Sequence, residues 1–241
     1  MESLGAVQPR YSRNLRALSA EEFGSLQTKN VCVIGLGGLG GYIVEILARI
    51  GVLNISAVDF DVFEPNNLNR QIFSTESLLG HPKTEGAHNR IKKVNSEVKL
   101  RIIREKLTPE SVSGILQGHD LAVDALDNIP SRFALQNSCE NLGIPMVHGS
   151  IAGWFGQVAN IFPGDRLLDK IYKNAFGPGK IPEKGVEREL GNLPFTASFV
   201  ASLQAAEAVK ILCGRSVLRN TVIRVDLLDC EYDTIFLGEK S

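Results

Sequence analysis

A chain of 241 residues with 44% hydrophobic content can bury a full core as one large domain, or as one domain with an appendage, with no need of disulfides or metals to hold it. A formal charge of −1 and an isoelectric point near 6.4 leave no broad basic field for nucleic acid or anionic lipid, so any tight partner has to be recognised locally. The amino terminus, MESLGAVQPRYSRN, has no apolar signal core, and no apolar run reaches the roughly 18 residues needed to cross a bilayer, which reads as a soluble, cytoplasmic protein.

In chain order, residues 15–29 predict an amphipathic helix that leads into the apolar run of VCVIGLGGLG, residues 31–40. Gly35, Gly37 and Gly40 give the G-x-G-x-x-G spacing, in which glycine permits a tight turn, leaves no side chain between backbone and phosphate, and lets the next helix pack closely on its strand. That helix, Gly38 to Ile50, places Ile43, Val44, Ile46, Leu47 and Ile50 on its apolar side, and Gly51 stops it. Asp59 closes the next apolar run, Ile55 to Val58, about 20 residues beyond the last glycine, where an acidic side chain can bond ribose hydroxyls.

Strand patterns at 54–58, 100–103, 120–124 and 145–148 alternate with helical ones at 83–95, 109–117 and 131–142, which predicts a Rossmann-like α/β fold with a parallel, doubly wound sheet. The pattern changes after residue 150. GWFGQVANIF reads as a strand, residues 163–194 as a loop rich in Gly, Pro and charge, and Phe195 to Leu212 as a helix. The loop is expected to be a mobile surface segment or a cover over a binding cleft. The last two runs, 221–228 and 233–237, have no crossover helix between them and should pair antiparallel.

Cys32, Cys139, Cys213 and Cys230 are scattered, and none forms the C-x-x-C pair of a zinc knuckle or redox motif. Cys32, Cys139 and Cys230 sit in or beside apolar patterns and read as small buried hydrophobes. Cys213, at a helix end before Gly214, is the one candidate reactive thiol.

Past Asp59 comes DVFEPNNLNRQ, which reads as a clamp more than a connector. Arg70 offers a planar fork for phosphate oxygens, and the amides of Asn66, Asn67, Asn69 and Gln71 can bond phosphate, ribose or backbone without adding charge. Lys83 opens the next helical pattern and either projects an ammonium toward the same phosphates or is a solvated lysine. Asp127, at the carboxyl end of an apolar strand, either holds Mg²⁺ on the phosphates or is an acid at a helix start. Asp124 reads as a supporting carboxylate, Asn128 with Pro130 as the turn, and Arg13, taken singly, as a surface residue.

Together RYSRN, GLGGLG, VDFD, NNLNRQ, HPK and ALDN, in this order and spacing, resemble the MoeB, ThiF and HesA family of ubiquitin-activating-enzyme-like adenylyltransferases, over roughly residues 10–213. The resemblance implies one sheet, parallel in its first half and antiparallel in its second, and a homodimer. It divides a single domain into a helical arm (1–29), a nucleotide-binding half (30–150) and a carrier-binding half (151–241). It implies that Gly37 and Gly38 line the nucleotide pocket, Asp59 holds the ribose, Asn67, Arg70 and Lys83 contact the phosphates, Asp127 binds Mg²⁺, and Arg13 reaches the other subunit's nucleotide. The implied reaction joins the C-terminal glycine carboxylate of a ubiquitin-like sulfur carrier, of the MoaD or ThiS type, to AMP from ATP, in molybdenum or tungsten cofactor or thiamine synthesis. Many members carry two C-x-x-C pairs for zinc; their absence here predicts a zinc-free variant. No cysteine lies between Phe162 and Leu193, where some relatives carry one that links to the carrier, so adenylation followed by release is expected. An NAD-dependent oxidoreductase, a catalytically silent binding module and an enzyme activating a carboxylate on modified tRNA are the alternatives.

Overall fold

Alternation along the strands decides the architecture. In β1 (Asn30–Ile34), Val31 and Val33 face one helical layer while Cys32 and Ile34 face the other, and none of the four is more than 1% exposed. A strand buried on both sides requires helices on both sides. The computed structural model, which describes residues 8–177, 182–183 and 185–238, supplies them around one eight-stranded sheet.

The strands β2 (Asn54–Val58), β3 (Lys99–Ile103), β4 (Leu121–Asp124), β5 (Met146–Ala152), β6 (Phe155–Ile161), β7 (Thr221–Asp226) and β8 (Glu231–Phe236) complete the order β3-β2-β1-β4-β5-β6-β7-β8. Every pairing from β3 across to β5 is parallel and every pairing from β5 to β8 antiparallel, as expected. The change has a local cause at the β5–β6 hairpin, a two-residue turn whose first position, Gly153, has φ 57°. One face is covered by α1 (Ala20–Thr28), α2 (Gly40–Ile50), α3 (Lys83–Val94) and α8 (Pro194–Leu212), through Leu26, Ile43, Leu47, Ile91, Val200 and Ala208. The other is covered by α4 (Val112–Leu116), α5 (Ile129–Leu142) and α6 (Leu167–Phe176), through Val112, Ile115, Leu135, Cys139, Leu168 and Ile171. The chain leaves β1 toward β2 and β3 on one side and returns to place β4 on the other, so a crevice opens at the carboxyl ends of β1 and β4.

Four sequence expectations are corrected. The predicted helix over 15–29 begins only at Ala20, because the Ser19 hydroxyl accepts from the Glu22 amide while the Glu22 carboxylate accepts from the Ser19 amide, a capping box that fixes the start. The stretch 163–194, expected as a loop, contains α6 and the short α7 (Glu187–Leu190); Leu167, Leu168, Ile171 and Tyr172 give α6 a buried stripe that the surrounding glycines and prolines conceal. Residues 178–181 and 184 of that stretch lie outside the described residues, and so does the question of its mobility. Cys230, expected to be buried, is exposed at the β7–β8 turn with φ 57°. Finally, α8 is 19 residues long and apolar enough to cross a membrane by length and composition, contrary to the reading that no run is. It instead packs across the sheet, with Val200, Ala201, Ala205 and Ala208 at most 1% exposed, as the core helix of a folded domain does.

Candidate active site

The glycine turn owes its shape to backbone crowding. Gly35 leaves β1 with φ 96°, and a Cβ there would lie 2.5 Å from the Ala125 carbonyl oxygen; one at Gly40 would lie 1.8 Å from the Gly35 oxygen. Both positions need glycine for the fold itself. Gly37 differs, since a Cβ there would meet nothing nearer than Gln71 Nε2 at 3.7 Å. The space above Gly37 is open, and α2 starts from Leu39, itself at the cleft with Gly37 and Gly38, without a side-chain cap. Asp59 ties the turn to β2, its Oδ2 accepting from the Leu36 amide at 2.7 Å and its Oδ1 from the Asp61 amide at 2.8 Å. Burial pushes the Asp59 carboxyl above its ordinary pKa, against the opposing pull of the Lys83 charge.

Above the turn lies a cleft of about 820 Å³ lined by Gly35, Gly37, Gly38, Asp59, Asn67, Arg70, Lys83 and Asp127, eight of the ten residues that the glycine spacing and the family resemblance assign to the site. Pro65–Asn67 forms a 3₁₀ turn in which Asn67 Oδ1 accepts from the Glu64 amide at 3.1 Å and Asn67 Nδ2 donates to Asn66 Oδ1 at 2.7 Å. Arg70 lies over Gly38, and its Nη1 donates to the Asn66 carbonyl and to Asn69 Oδ1, both at 2.9 Å. The asparagines thus aim the guanidinium through neutral acceptors. Burial draws the Arg70 pKa down, and the Asp127 charge opposes this. Lys83, at the first position of α3 and only 7% exposed, donates from Nζ to Asp61 Oδ2 at 3.0 Å.

Asp127 stands exposed on the loop after β4, between Leu126 and Asn128, whose side chain caps α5 by accepting from the Ser131 amide at 2.9 Å. An exposed carboxylate at the cleft suits Mg²⁺, which keeps most of its water and is held by one or two carboxylates together with substrate phosphates. Among the described residues no group of three or more His, Cys, Asp or Glu could hold a metal by itself.

Two of the ten residues stand apart. Gly40 shapes the turn from beneath, and Arg13, exposed, does not line its own chain's cleft. Sequence reading missed Asp61, and it missed the wall formed by Glu105–Pro109 after β3 with Phe60, over whose ring Lys106 Nζ sits at 5.7 Å. The rule that ligands bind outside the carboxyl ends of the strands in an open sheet would have found that wall once β3 was placed. Cys213 is no part of this constellation: α8 meets Gly38 through Ala197, and at about 1.5 Å per residue Cys213 lies about 24 Å further along the helix, its thiol pKa raised by burial.

The family model for the ThiF family matches residues 11–241. The SAMP-activating enzyme E1 of Haloferax volcanii is 34% identical over 237 residues, covering 97% of this chain and 87% of that protein. The sulfur carrier protein adenylyltransferase of Thermus thermophilus is 36% identical over 196 residues, covering 78% and 71% respectively. Among solved structures, E. coli MccB with ATP superposes with a TM-score of 0.78 over 97% of this chain and 73% of that one, at 21% identity, a likeness of fold. A match that runs from Tyr11 to the last residue, joined to a glycine turn, asparagine-held arginine and buried lysine about one cleft, gives the conclusion that the chain belongs to the ThiF family.

Proposed function

We propose that the protein activates the C-terminal glycine carboxylate of a ubiquitin-like sulfur carrier with ATP. A carboxylate oxygen attacks the α-phosphorus, the bond to the bridging oxygen of the β-phosphate breaks, and acyl adenylate and pyrophosphate result. The family's relatives are named adenylyltransferases, and an adenylyltransferase is what this cleft suits. The observation that carries the reading is the convergence of Arg70 and Lys83 on the opening above Gly37 and Gly38.

A carboxylate is already a nucleophile at neutral pH and needs no general base, so the barrier is the approach of one anion to another. Arg70 and Lys83 oppose that repulsion and favour the charge gathering on the departing pyrophosphate; such preorganised groups contribute about 3–4 kcal/mol each. The amides of Gly37 and Gly38 orient the phosphates. Asp59, fixed by two backbone amides, presents its edge to the ribose. Asp127 would hold Mg²⁺ against the triphosphate, where the ion neutralises phosphate charge. Arg13 acts from the second subunit of a homodimer.

Exposed aromatic side chains support a protein partner: Trp154 and Phe195 meet with ring centres 4.7 Å apart and tilted by 46° beside the start of α8, and Phe199 meets Tyr232 of β8 at 5.8 Å. A cytoplasmic setting, where ATP is present, agrees with four unpaired cysteines. The test is to incubate the protein with ATP, Mg²⁺ and each purified candidate carrier and to weigh the carrier. A gain of one AMP on a carrier ending in glycine, with carrier-dependent exchange of pyrophosphate into ATP, is expected; an unmodified carrier in every case overturns the proposal.

A further inference from the structure

Beneath the cleft, and reaching its wall through Arg132, lies a polar cluster that the reaction as described does not use. Asp124, the last residue of β4, is fully buried, and so is His148 on the neighbouring β5. His148 Nδ1 lies 2.7 Å from Asp124 Oδ2. The other carboxylate oxygen, Asp124 Oδ1, accepts from the Leu126 amide at 3.0 Å. Arg132 of α5 stands with Nε 3.7 Å from Asp124 Oδ2, donates from Nη2 to the Leu126 carbonyl at 2.6 Å, and donates from Nη1 to the Tyr172 hydroxyl at 2.6 Å. Both backbone groups of Leu126 are therefore held, the amide by Asp124 and the carbonyl by Arg132, and the residue that follows is Asp127. On its far side Asn128 is fixed as the cap of α5.

The tautomer follows from the surroundings. Asp124 has only acceptors to offer, so the hydrogen between the two residues belongs to His148 Nδ1. His148 Nε2 is buried and has no hydrogen-bond partner, a position that tolerates a lone pair far better than a second N–H. His148 is thus a neutral donor that aims one oxygen of Asp124, leaving the other on the Leu126 amide. No atom of His148 lines the cleft.

We propose that His148 is a positioning residue: through Asp124, Arg132 and the clamped Leu126 it sets where the Asp127 carboxylate stands at the cleft. This deepens the adenylylation reading and rests on Asp127 serving the triphosphate. It separates from that reading because its test is binding, not turnover.

The experiment measures binding of a non-hydrolysable ATP analogue by calorimetry, with and without Mg²⁺, in the full chain. His148→Leu removes the donor; His148→Asn places an amide nitrogen near the position of Nδ1; Arg132→Lys keeps the charge but loses the fork that reaches Leu126. His148→Leu and Arg132→Lys are each expected to weaken binding about 10-fold with Mg²⁺ and less than 2-fold without it, and His148→Asn to restore affinity to within about 3-fold. In an Asp127→Asn background, His148→Leu should have no further effect. Equal losses with and without Mg²⁺, additive losses in that background, or failure of His148→Asn to do better than His148→Leu would overturn the proposal, as would unchanged binding in both His148→Leu and Arg132→Lys. A wild-type chain that binds the analogue but modifies no carrier would instead count against the carrier reading alone.

Discussion

Lys83 shows how a residue's neighbours separate its part in folding from its part in chemistry. Its ammonium bonds Asp61, whose side chain is 47% exposed, so loss of the lysine leaves a carboxylate that water can serve. Asp59 is different, being buried, with the Lys83 charge opposing the burial that raises its pKa. Lys83→Met keeps the stem and removes the charge. Carrier-dependent pyrophosphate exchange should fall by about 10²-fold or more, the size of effect measured when a preorganised group is removed from a developing charge. The stability consequence has a sign that pH reveals. Ionised Asp59 is disfavoured in the fold, and Lys83→Met disfavours it further, so the variant should melt below wild type at neutral pH. That gap should close as the pH falls through the raised folded pKa toward the ordinary carboxylate value, because protonated Asp59 no longer feels the lysine. A gap independent of pH would show that the two side chains are not coupled. Lys83 was legible from HPK; Asp61 was not, because the contact depends on how the loop between them folds back rather than on any spacing along the chain.

At the scale of elements, the glycine turn was readable because each glycine answers a local steric demand, yet the demands are unequal. Gly40→Ala drives a methyl to within 1.8 Å of the Gly35 oxygen, and neither backbone can yield without moving α2 off β1. That variant should lose about 3 kcal/mol or more by chemical denaturation. Gly37→Ala meets only Gln71 at 3.7 Å and should stay within about 1 kcal/mol of wild type, while its methyl occupies the opening above the helix start and weakens ATP binding. Equal destabilisation of the two variants would remove the distinction between a glycine kept for the fold and one kept for a ligand. The other misjudged elements failed for the same kind of reason in reverse. The start of α1 is set by a reciprocal Ser19–Glu22 pair rather than by the apolar period that runs through residues 15–29, and α6 hides its four buried residues within a segment whose composition reads as loop. Periodicity found the long helices between strands, where packing on the sheet enforces it, and lost those whose limits are drawn by caps and neighbours.

For the molecule as a whole, the order of strand and helix patterns predicted the parallel first half and the antiparallel final pair, the full change of direction came only with the family resemblance, and Arg13 read as the surface residue that it is. Tyr11 is 1% exposed against Phe23, and its hydroxyl accepts from Asn95 Nδ2 at 2.7 Å; Arg10 Nη1 donates to the same asparagine's Oδ1 at 2.6 Å. The arm is therefore tied to its own chain two residues before Arg13, which is exposed and does not line its own cleft. If Arg13 serves the partner's nucleotide in the proposed dimer, Arg13→Ala and Arg70→Ala should each abolish activity alone and rescue one another when mixed. In a mixed dimer the Arg13→Ala protomer keeps its own Arg70 and receives Arg13 from its partner, while the opposite cleft lacks both. Random exchange of subunits puts half the molecules in mixed dimers with one competent site of two, so about a quarter of wild-type activity should return. Activity that stays at the level of the separate variants, once mass measurement shows that subunits have exchanged, would place Arg13 outside the reaction.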